Sequence, residues 1–292
     1  MGRPHANVAE PLAELAPLHN PAALAGIDVT SKQFPGVPQV AAFDTAFHRD
    51  MPEAASLYAV PWDWTTRWEL RRFGFHGLSL SYAVERTREL LSHLPRRIVV
   101  CHLGAGCSIT AVNDGRSINT SMGFTPLEGV MMTQRSGSID PGMLLYLLTQ
   151  NDVTPGELDR ALNERSGLLG VSGVSSDLRK VLSSAAAGEE RAQLACDMFV
   201  QRLVTTVGSM LANLNGLDAL VFTAGIGEHS AEIRAATCNA FGYVGLRLDA
   251  TRNESNAVDA DIAEDSSAVH VLVLTAREDL AVLRQVKRVL AW

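Results

Sequence analysis

Two short apolar runs, each ending in glycines, constrain the fold of this chain most strongly. Arg97–Leu103 (RIVVCHL) leads into residues 104–106, and Ala219–Thr223 leads into residues 225–227. Runs of this length and β-branched content predict buried strands. Glycine at a strand end lets backbone N–H groups approach a phosphate without an intervening Cβ. The alternative for each loop is a tight turn with no ligand.

The spacing of the glycines excludes one nucleotide-binding motif and weakens another. Neither loop matches G-x-x-x-x-G-K-[ST], and neither completes G-x-G-x-x-G. A P-loop enzyme is therefore excluded, and a Rossmann interpretation is weak. The second loop leads into a predicted helix, whose first amides favour an anion.

The order of elements predicts an α/β protein with a mixed sheet. Further strands are expected at Val40–Phe43, Ser108–Val112, Ser117–Thr120 and Val269–Leu274, with a hairpin turn at residues 113–115. Helices are expected at Ser79–Leu91, Gly142–Thr149, Pro155–Asn163, Arg191–Leu214, Ser230–Phe241 and Glu278–Leu290. The first 40 residues predict one helix near Ala9–Leu15, followed by irregular chain.

The amino-acid composition of the chain limits the kinds of molecule that it could bind. A chain of 292 residues is long enough for about two domains. Its net charge of −7 argues against a nucleic-acid partner and favours small molecules. No apolar run reaches the ~18 residues that a membrane span needs. The 4 cysteines lack metal-site spacing and are expected to be reduced thiols, so a cytoplasmic location is expected.

Three polar residues lie where they could carry chemistry, and each also has a plain structural alternative. Asp44 follows a predicted strand and could orient a nucleophile or hold a metal, or simply cap a helix. His76 lies between two glycines and could reach a phosphoryl oxygen, or be a buried, hydrogen-bonded histidine. Arg135 could stabilise a transferring phosphoryl group, or form a surface ion pair.

Asp177, Leu178 and Arg179 open a predicted helix. The simpler interpretation is a helix cap with an ion pair in the first turn. The functional interpretation is a contact with a nucleoside.

Taken together, eight segments of the sequence resemble the acetate kinase family. They follow the family's order and cover nearly the whole chain after its first residues. The segments are Ala16–Leu24 (APLHNPAAL), Phe43–Pro52 (FDTAFHRDMP), Arg71–Gly77 (RRFGFHG), His102–Ser108 (HLGAGCS), Asn119–Gly129 (NTSMGFTPLEG), Arg135–Pro141 (RSGSIDP), Ser166–Arg179 (SGLLGVSGVSSDLR) and Val221–Ser230 (VFTAGIGEHS).

The resemblance implies an actin/hexokinase/Hsp70-like (ribonuclease H-like) two-domain fold with mixed sheets and an incomplete N-terminal domain. Residues 1–46 and 280–292 would be the remnant of that domain. Residues 47–279 would form the C-terminal nucleotide-binding and dimerisation domain, so a homodimer is expected.

The implied reaction is ATP plus acetate giving ADP plus acetyl phosphate, by direct in-line transfer with Mg²⁺. In such transfers the protein mainly positions reactants and neutralises charge. Two alternatives stay open: a catalytically impaired remnant that binds nucleotide or only dimerises, and a propionate or other short-chain acyl kinase.

The resemblance also implies roles for individual residues. Asp44, His76 and Arg135 match the catalytic set, His19 matches a substrate-side motif, and Glu278 matches the acidic residue of the magnesium site. The positions that match the nucleotide-binding segments are His102, Leu103, Gly104, Ala105, Gly106, Asp177, Leu178, Arg179, Gly225, Ile226, Gly227, Glu228 and His229.

Several positions depart from the family pattern. Family members begin with a strand and a Ser-rich hairpin, and carry an H-R-V-V-H-G-G-like motif whose arginine holds the substrate carboxylate; neither segment occurs here. Ala105 and His229 each replace an asparagine, Ser138 replaces an acidic residue, and the sequence around Glu278 differs from P-T-N-E-E. These changes imply either relaxed constraint or a divergent specificity.

Overall fold

A computed structural model describes residues 20–255 and 257–291. The described chain divides into two compact units at Phe43/Asp44 and at Ala281/Val282. The smaller unit contains helix α1 (Asn20–Gln33) and the end of the last helix. Irregular chain was the expectation for residues 20–33, and it is wrong. Residues 22–33 contain no proline, so no missing N–H interrupts the helical hydrogen bonds there.

Two other predictions from the sequence are not tested by the described residues. The helix predicted near residues 9–15 lies outside the described residues. The domain boundaries predicted after residues 46 and 279 stay a prediction.

The larger unit, Asp44–Ala281, is built on a six-stranded mixed sheet in the order β3-β2-β1-β4-β6-β5. Its strands are β1 (Arg97–Leu103), β2 (Cys107–Asn113), β3 (Arg116–Thr120), β4 (Ala219–Thr223), β5 (Ala260–Asp261) and β6 (His270–Leu274). Strands β1, β4 and β6 are parallel, while β2, β3 and β5 add antiparallel edges. The predicted mixed sheet is therefore confirmed.

The helices of this unit lie within one or two residues of most predicted bounds. They are α2 (Glu53–Ser56), α3 (Trp62–Trp68), α4 (Gly77–Leu91), α5 (Pro141–Gln150), α6 (Pro155–Glu164), α7 (Gly167–Ser172), α8 (Leu178–Ala186), α9 (Glu190–Leu214), α10 (Ala224–His229), α11 (Ala231–Asn239), α12 (Ala250–Glu254) and the start of α13 (Glu278–Leu290). Short 3₁₀ turns occur at Ala46–His48 and Gly242–Val244. Within the described residues, no helix is both long and apolar enough to cross a membrane.

The two faces of the sheet are covered by different helices. Because side chains alternate along a strand, Val99, Cys101 and Leu103 of β1 face one side and Ile98 and Val100 face the other. The first face packs in a large core with α7, α8, α9 and α11. The second face packs in a smaller core against α4. His102 follows the second set, so β1 directs it towards α4.

Two local predictions are wrong. Val40–Phe43 forms no strand, since none of the described strands pairs with it to satisfy its backbone groups. Residues 225–227, predicted as a loop, lie inside the short helix α10. This helix begins directly after β4 and buries Ala224 and Gly227. Burial of this kind outweighs the low helix propensity of glycine.

Candidate active site

The Asp44 carboxylate holds the backbone that carries His76. Its Oδ2 accepts a hydrogen bond from the His76 N–H at 2.6 Å, and its Oδ1 accepts one from the Leu78 N–H at 3.3 Å. Both amides lie at the start of α4, where N–H groups lack helical partners. Asp44 precedes the 3₁₀ turn rather than ending a strand, and its cap-like bonds reach a different helix.

The His76 imidazole is fixed by two neighbours. Its Nδ1 lies 3.0 Å from Ser108 Oγ. Its ring stacks on His102, with 3.9 Å between centroids and 20° between planes. The Nδ1 of His102 in turn lies 2.9 Å from Ser79 Oγ on α4. Two strands and one helix therefore determine where the Nε2 of His76 points.

Arg135 approaches the same place from the loop between β3 and α5. A Cβ built on Gly106 would lie 3.3 Å from His76 Nε2 and 3.4 Å from Arg135 Nη1. Both nitrogens therefore border Gly106, and only a glycine there leaves the space between them free. Arg135 Nη1 also lies within 3.5 Å of the Pro126 carbonyl oxygen.

Burial controls the charge of both stacked rings. It lowers the pKa of His76 to about 4, with the Asp44 charge opposing and the Arg135 charge reinforcing that shift. Burial, and then His76 itself, lower the pKa of His102 well below its ordinary value. At neutral pH both imidazoles are uncharged, so His76 acts here as a hydrogen-bonding group and not as a cation.

Glu278, at the start of α13, lies near Asp44, and these two carboxylates are called the acidic edge. Partial desolvation raises the pKa of its carboxyl, and the nearby Asp44 charge raises it further. The Asp44 charge disfavours the ionised form of Glu278, and a cation between the two carboxylates would relieve that repulsion. Within the described residues, no cluster of three or more His, Cys, Asp or Glu side chains could hold a metal alone.

A cleft of about 910 Å³ lies at the ends of β1 and β4. It brings together members of all three predicted nucleotide segments: Gly104, Ala105, Asp177, Leu178, Arg179, Gly225, Ile226 and His229. Sequence reasoning missed other lining residues, namely Thr133, Gln134, Ser176, Leu182, Ser183, Ala186, Ser230 and Glu232. Those on α8 follow the predicted segment by one helical turn or two, which is the signal that could have found them.

Asp177 and Arg179 combine both roles considered for them. The Asp177 side chain caps α8 by accepting the Arg179 N–H at 3.0 Å, and pairs with the Arg179 guanidinium at 2.7 Å. These hydrogen bonds lower the pKa of Asp177 to about 2. The pair also lines the cleft, so the cap and a nucleotide contact are compatible.

The remaining predicted residues lie behind the cleft or outside the described chain. His102, Leu103, Gly227 and Glu228 are buried, and Glu228 accepts a hydrogen bond from the Ala276 N–H at 3.0 Å. Their backbones continue the segments that line the cleft. The described residues do not include His19.

A polar network beside the site was not predicted. Arg72 donates to the carbonyl oxygens of Thr120, Ser121 and Met122, and pairs with Glu128 at 2.7 Å. The Tyr58 hydroxyl donates to the same carboxylate. This network stiffens residues 120–128, which precede Arg135.

A mixed sheet of this order, with a glycine-lined cleft at the ends of its central parallel strands, puts the chain in the class of actin- and hexokinase-like phosphotransferases. Within that class, residues 6–284 match the profile of the Acetokinase family. The chain belongs to that family.

Similar proteins agree with this assignment. The acetate kinase of Nostoc punctiforme is 52% identical over 281 residues, spanning 96% of this chain and 69% of that protein. The crystal structure of Porphyromonas gingivalis acetate kinase superposes with a TM-score of 0.95 at 38% identity, covering 99% of this chain and 73% of that one. A propionate kinase from Francisella tularensis superposes with a TM-score of 0.90 at 40% identity, covering 97% and 72%.

Proposed function

We propose that this protein transfers the γ-phosphoryl group of ATP to acetate, giving ADP and acetyl phosphate, and catalyses the reverse reaction. The observation that carries the proposal is the convergence of His76 Nε2 and Arg135 Nη1 on Gly106, beside a cleft lined by glycines. Two hydrogen-bond donors that face the same small space could bind the oxygens of a transferring phosphoryl group.

The nucleotide would occupy the cleft between α8 and α10. Leu182, Ala186 and Ile226 offer an apolar wall for a purine, while Ser183 and Glu232 offer polar contacts. The phosphates would extend towards the glycines after β1, where backbone N–H groups can approach closely. The family's larger relatives named as acetate kinases support ATP as the donor.

The chemistry needs one bond to form and one to break. A carboxylate oxygen of acetate attacks the γ-phosphorus, and the bond from phosphorus to the β-phosphate oxygen breaks in line with it. Arg135 neutralises charge on the equatorial oxygens. His76 donates a neutral hydrogen bond from Nε2 when the Ser108 hydroxyl donates to its Nδ1. No proton transfer is required.

The acidic edge fits a magnesium ion. Each Asp44 oxygen accepts one backbone N–H and keeps a lone pair, and Glu278 adds a second carboxylate nearby. Mg²⁺ is commonly held by one or two carboxylates, with water and substrate phosphates as its other ligands. Asp44 and Glu278 would hold the ion, which would supply charge neutralisation to the phosphates when bound.

A second candidate substrate is propionate. The likeness to the Francisella tularensis propionate kinase, at 40% identity, favours this possibility over unrelated acceptors. Both substrates would use the same phosphoryl site, because they differ by one methylene away from the reacting oxygen. The ratio of kcat/KM for acetate and propionate decides between them.

The protein would act in the cytoplasm as a homodimer. Four free, buried cysteines, Cys101, Cys107, Cys196 and Cys238, are typical of a reducing compartment. Helix α5 exposes Leu145 to 63% and Tyr146 to 58%, and an apolar face of this kind is typical of an interface. Sedimentation velocity tests the dimer.

A hydroxamate assay with ATP, Mg²⁺ and acetate tests the proposed reaction. Turnover near the ~1–100 s⁻¹ of ordinary kinases is the expected result. Calorimetric titration with ADP runs in parallel. Retained ADP binding without turnover would leave only the nucleotide-binding remnant, and loss of both would remove the kinase assignment for this chain.

A further inference from the structure

The peptide bond between Phe75 and His76 is held on both of its polar sides. Its N–H donates to Asp44 Oδ2 at 2.6 Å. Its carbonyl oxygen lies 3.0 Å from Nε2 of His48. Because a carbonyl can only accept, His48 must donate this bond. Both holding side chains come from one short segment, residues 44–48.

This peptide needs to be held, because His76 has an unfavourable backbone conformation. Its φ is 59° and its ψ is 24°, in the left-handed region. For a residue with a Cβ this region is sterically unfavourable. Such a conformation persists only when the surroundings determine it, and it is concentrated at functional sites. If the peptide rotated, the imidazole would leave its place beside Gly106.

His48 is itself rigidly placed. Its side chain is buried, and its Nδ1 lies 2.8 Å from the Oγ of the buried Ser117 on β3. Since Nε2 carries the hydrogen, the neutral ring accepts at Nδ1 and the Ser117 hydroxyl donates. The ring also packs on Gly74, whose φ is +73° and where a Cβ would lie 2.5 Å from His48 Cδ2.

We propose that His48 is a positioning residue for phosphoryl transfer: held in one tautomer by Ser117, it fixes the Phe75–His76 peptide opposite Asp44 and so aims His76 at the phosphoryl group. His48 lies behind that peptide and contacts its carbonyl oxygen, so its effect reaches the reaction only through His76. The expected change in kcat rests on the proposed function. The expected change in the position of His76 rests on geometry alone.

Three variants separate positioning from stability. His48→Leu removes the donor and lowers kcat roughly tenfold to hundredfold, with KM for ATP and for acetate within about twofold of wild type. His48→Gln can place an amide N–H near Nε2 and recovers most of the loss. Ser117→Ala leaves Nδ1 of His48 without its donor and also lowers kcat, but by less than His48→Leu does. Val207→Ala, a buried truncation in α9, is the control: it lowers Tm and leaves kcat unchanged.

A double-mutant cycle identifies the route of the effect. In a His76→Ala background, His48→Leu has no further effect on kcat, because there is no imidazole left to aim. Additive losses would overturn the inference, as would an unchanged kcat in His48→Leu while the wild type turns over normally.

A crystal structure of His48→Leu gives a readout independent of turnover. Residue 76 leaves the left-handed region, or its ring leaves the stack on His102. If residue 76 keeps both, the positioning role is refuted even where wild-type turnover is absent. Absence of wild-type turnover alone counts against the proposed reaction, and the structural result still decides the inference.

Discussion

Asp44 Oδ2 accepts the backbone N–H of His76 at 2.6 Å, so two residues of the expected catalytic set are joined by the side chain of one and the backbone of the other. The Asp44 carboxylate holds the backbone at His76 and, in the proposed reaction, it would also present a negative charge to the substrate side.

Asp44→Asn tests the charge. The amide keeps one acceptor oxygen and replaces the other with an NH₂ group that faces a backbone donor. We expect kcat to fall about 10²–10³-fold or more, in line with loss of one preorganised charge contact. Steady-state hydroxamate kinetics measure it, with ADP calorimetry as a check on folding. Turnover equal to wild type would exclude the role assigned to Asp44.

Arg135→Lys tests the guanidinium. Lysine keeps the charge but cannot present the planar fork, so we expect a loss of about 10²–10³-fold in kcat with little change in the affinity for ADP. Arg49→Lys is the matched control, because Arg49 is exposed and pairs with Asp50. Equal effects of the two changes would show that Arg135 has no special part in transfer.

Gly106→Ala tests the space between the two donors. The new Cβ would lie 3.3 Å from His76 Nε2 and 3.4 Å from Arg135 Nη1, where a phosphoryl oxygen is expected. A fall in kcat of roughly tenfold or more should follow. Gly156→Ala in α6 meets nothing within 4 Å and should leave kinetics unchanged. A Gly106→Ala enzyme with normal kcat would place the transferring group elsewhere.

Ala224→Gly should stabilise the protein. Ala224 begins α10 at φ 64°, where a side chain is strained and glycine is not. After allowing for the greater freedom of glycine in the unfolded chain, a gain of about 0.5–1 kcal/mol remains. Calorimetry should show a Tm higher by about 2 °C. Ala212→Gly, at an exposed position within α9, should instead cost about 1 kcal/mol. A lower Tm for Ala224→Gly would contradict the strain.

Because of His48, the protein should become less stable as pH falls. Burial lowers the pKa of His48 from 6.5 to about 4 in the folded state, so the unfolded state binds the proton more readily. The contribution of the neutral ring to the free energy of unfolding is complete above pH 6.5 and is lost as pH falls towards 4. The loss reaches about 3 kcal/mol.

His48→Gln isolates this contribution. It carries no titrating group at position 48, so the difference in unfolding free energy between wild type and variant should shrink as pH falls from 7 to 5. Urea unfolding at several pH values measures that difference. A gap that stays constant with pH would mean that folding does not lower the pKa of His48.

The sequence predicted the central sheet well because its strands are buried on both faces. Arg97–Leu103 and Ala219–Thr223 were predicted with the bounds that the structure shows, since nearly every residue in them is buried and apolar. The turn at Asp114 and Gly115 was equally clear, as both residues adopt positive φ. Local chemistry was sufficient in these cases.

Other features depend on contacts that are remote in sequence. Val40–Phe43 has a strand-like composition but no partner strand among the described residues. The helix over residues 224–229 contains two glycines and depends on packing against β1 and β4. The position of His48 in the hydrogen-bond network also could not be read from its motif, because Ser117 lies 69 residues away. The site roles themselves stay predictions until the variants are measured.

The pairing of β1 with β4 aligns His102 with Thr223. Because side chains alternate along a strand, one residue inserted into β1 would turn that imidazole away from Ser79 and towards the large core, and the ring stacked on it would lose its support. The position of the His76 ring therefore depends on which residues of β1 face α4. Insertions within this strand should therefore be excluded.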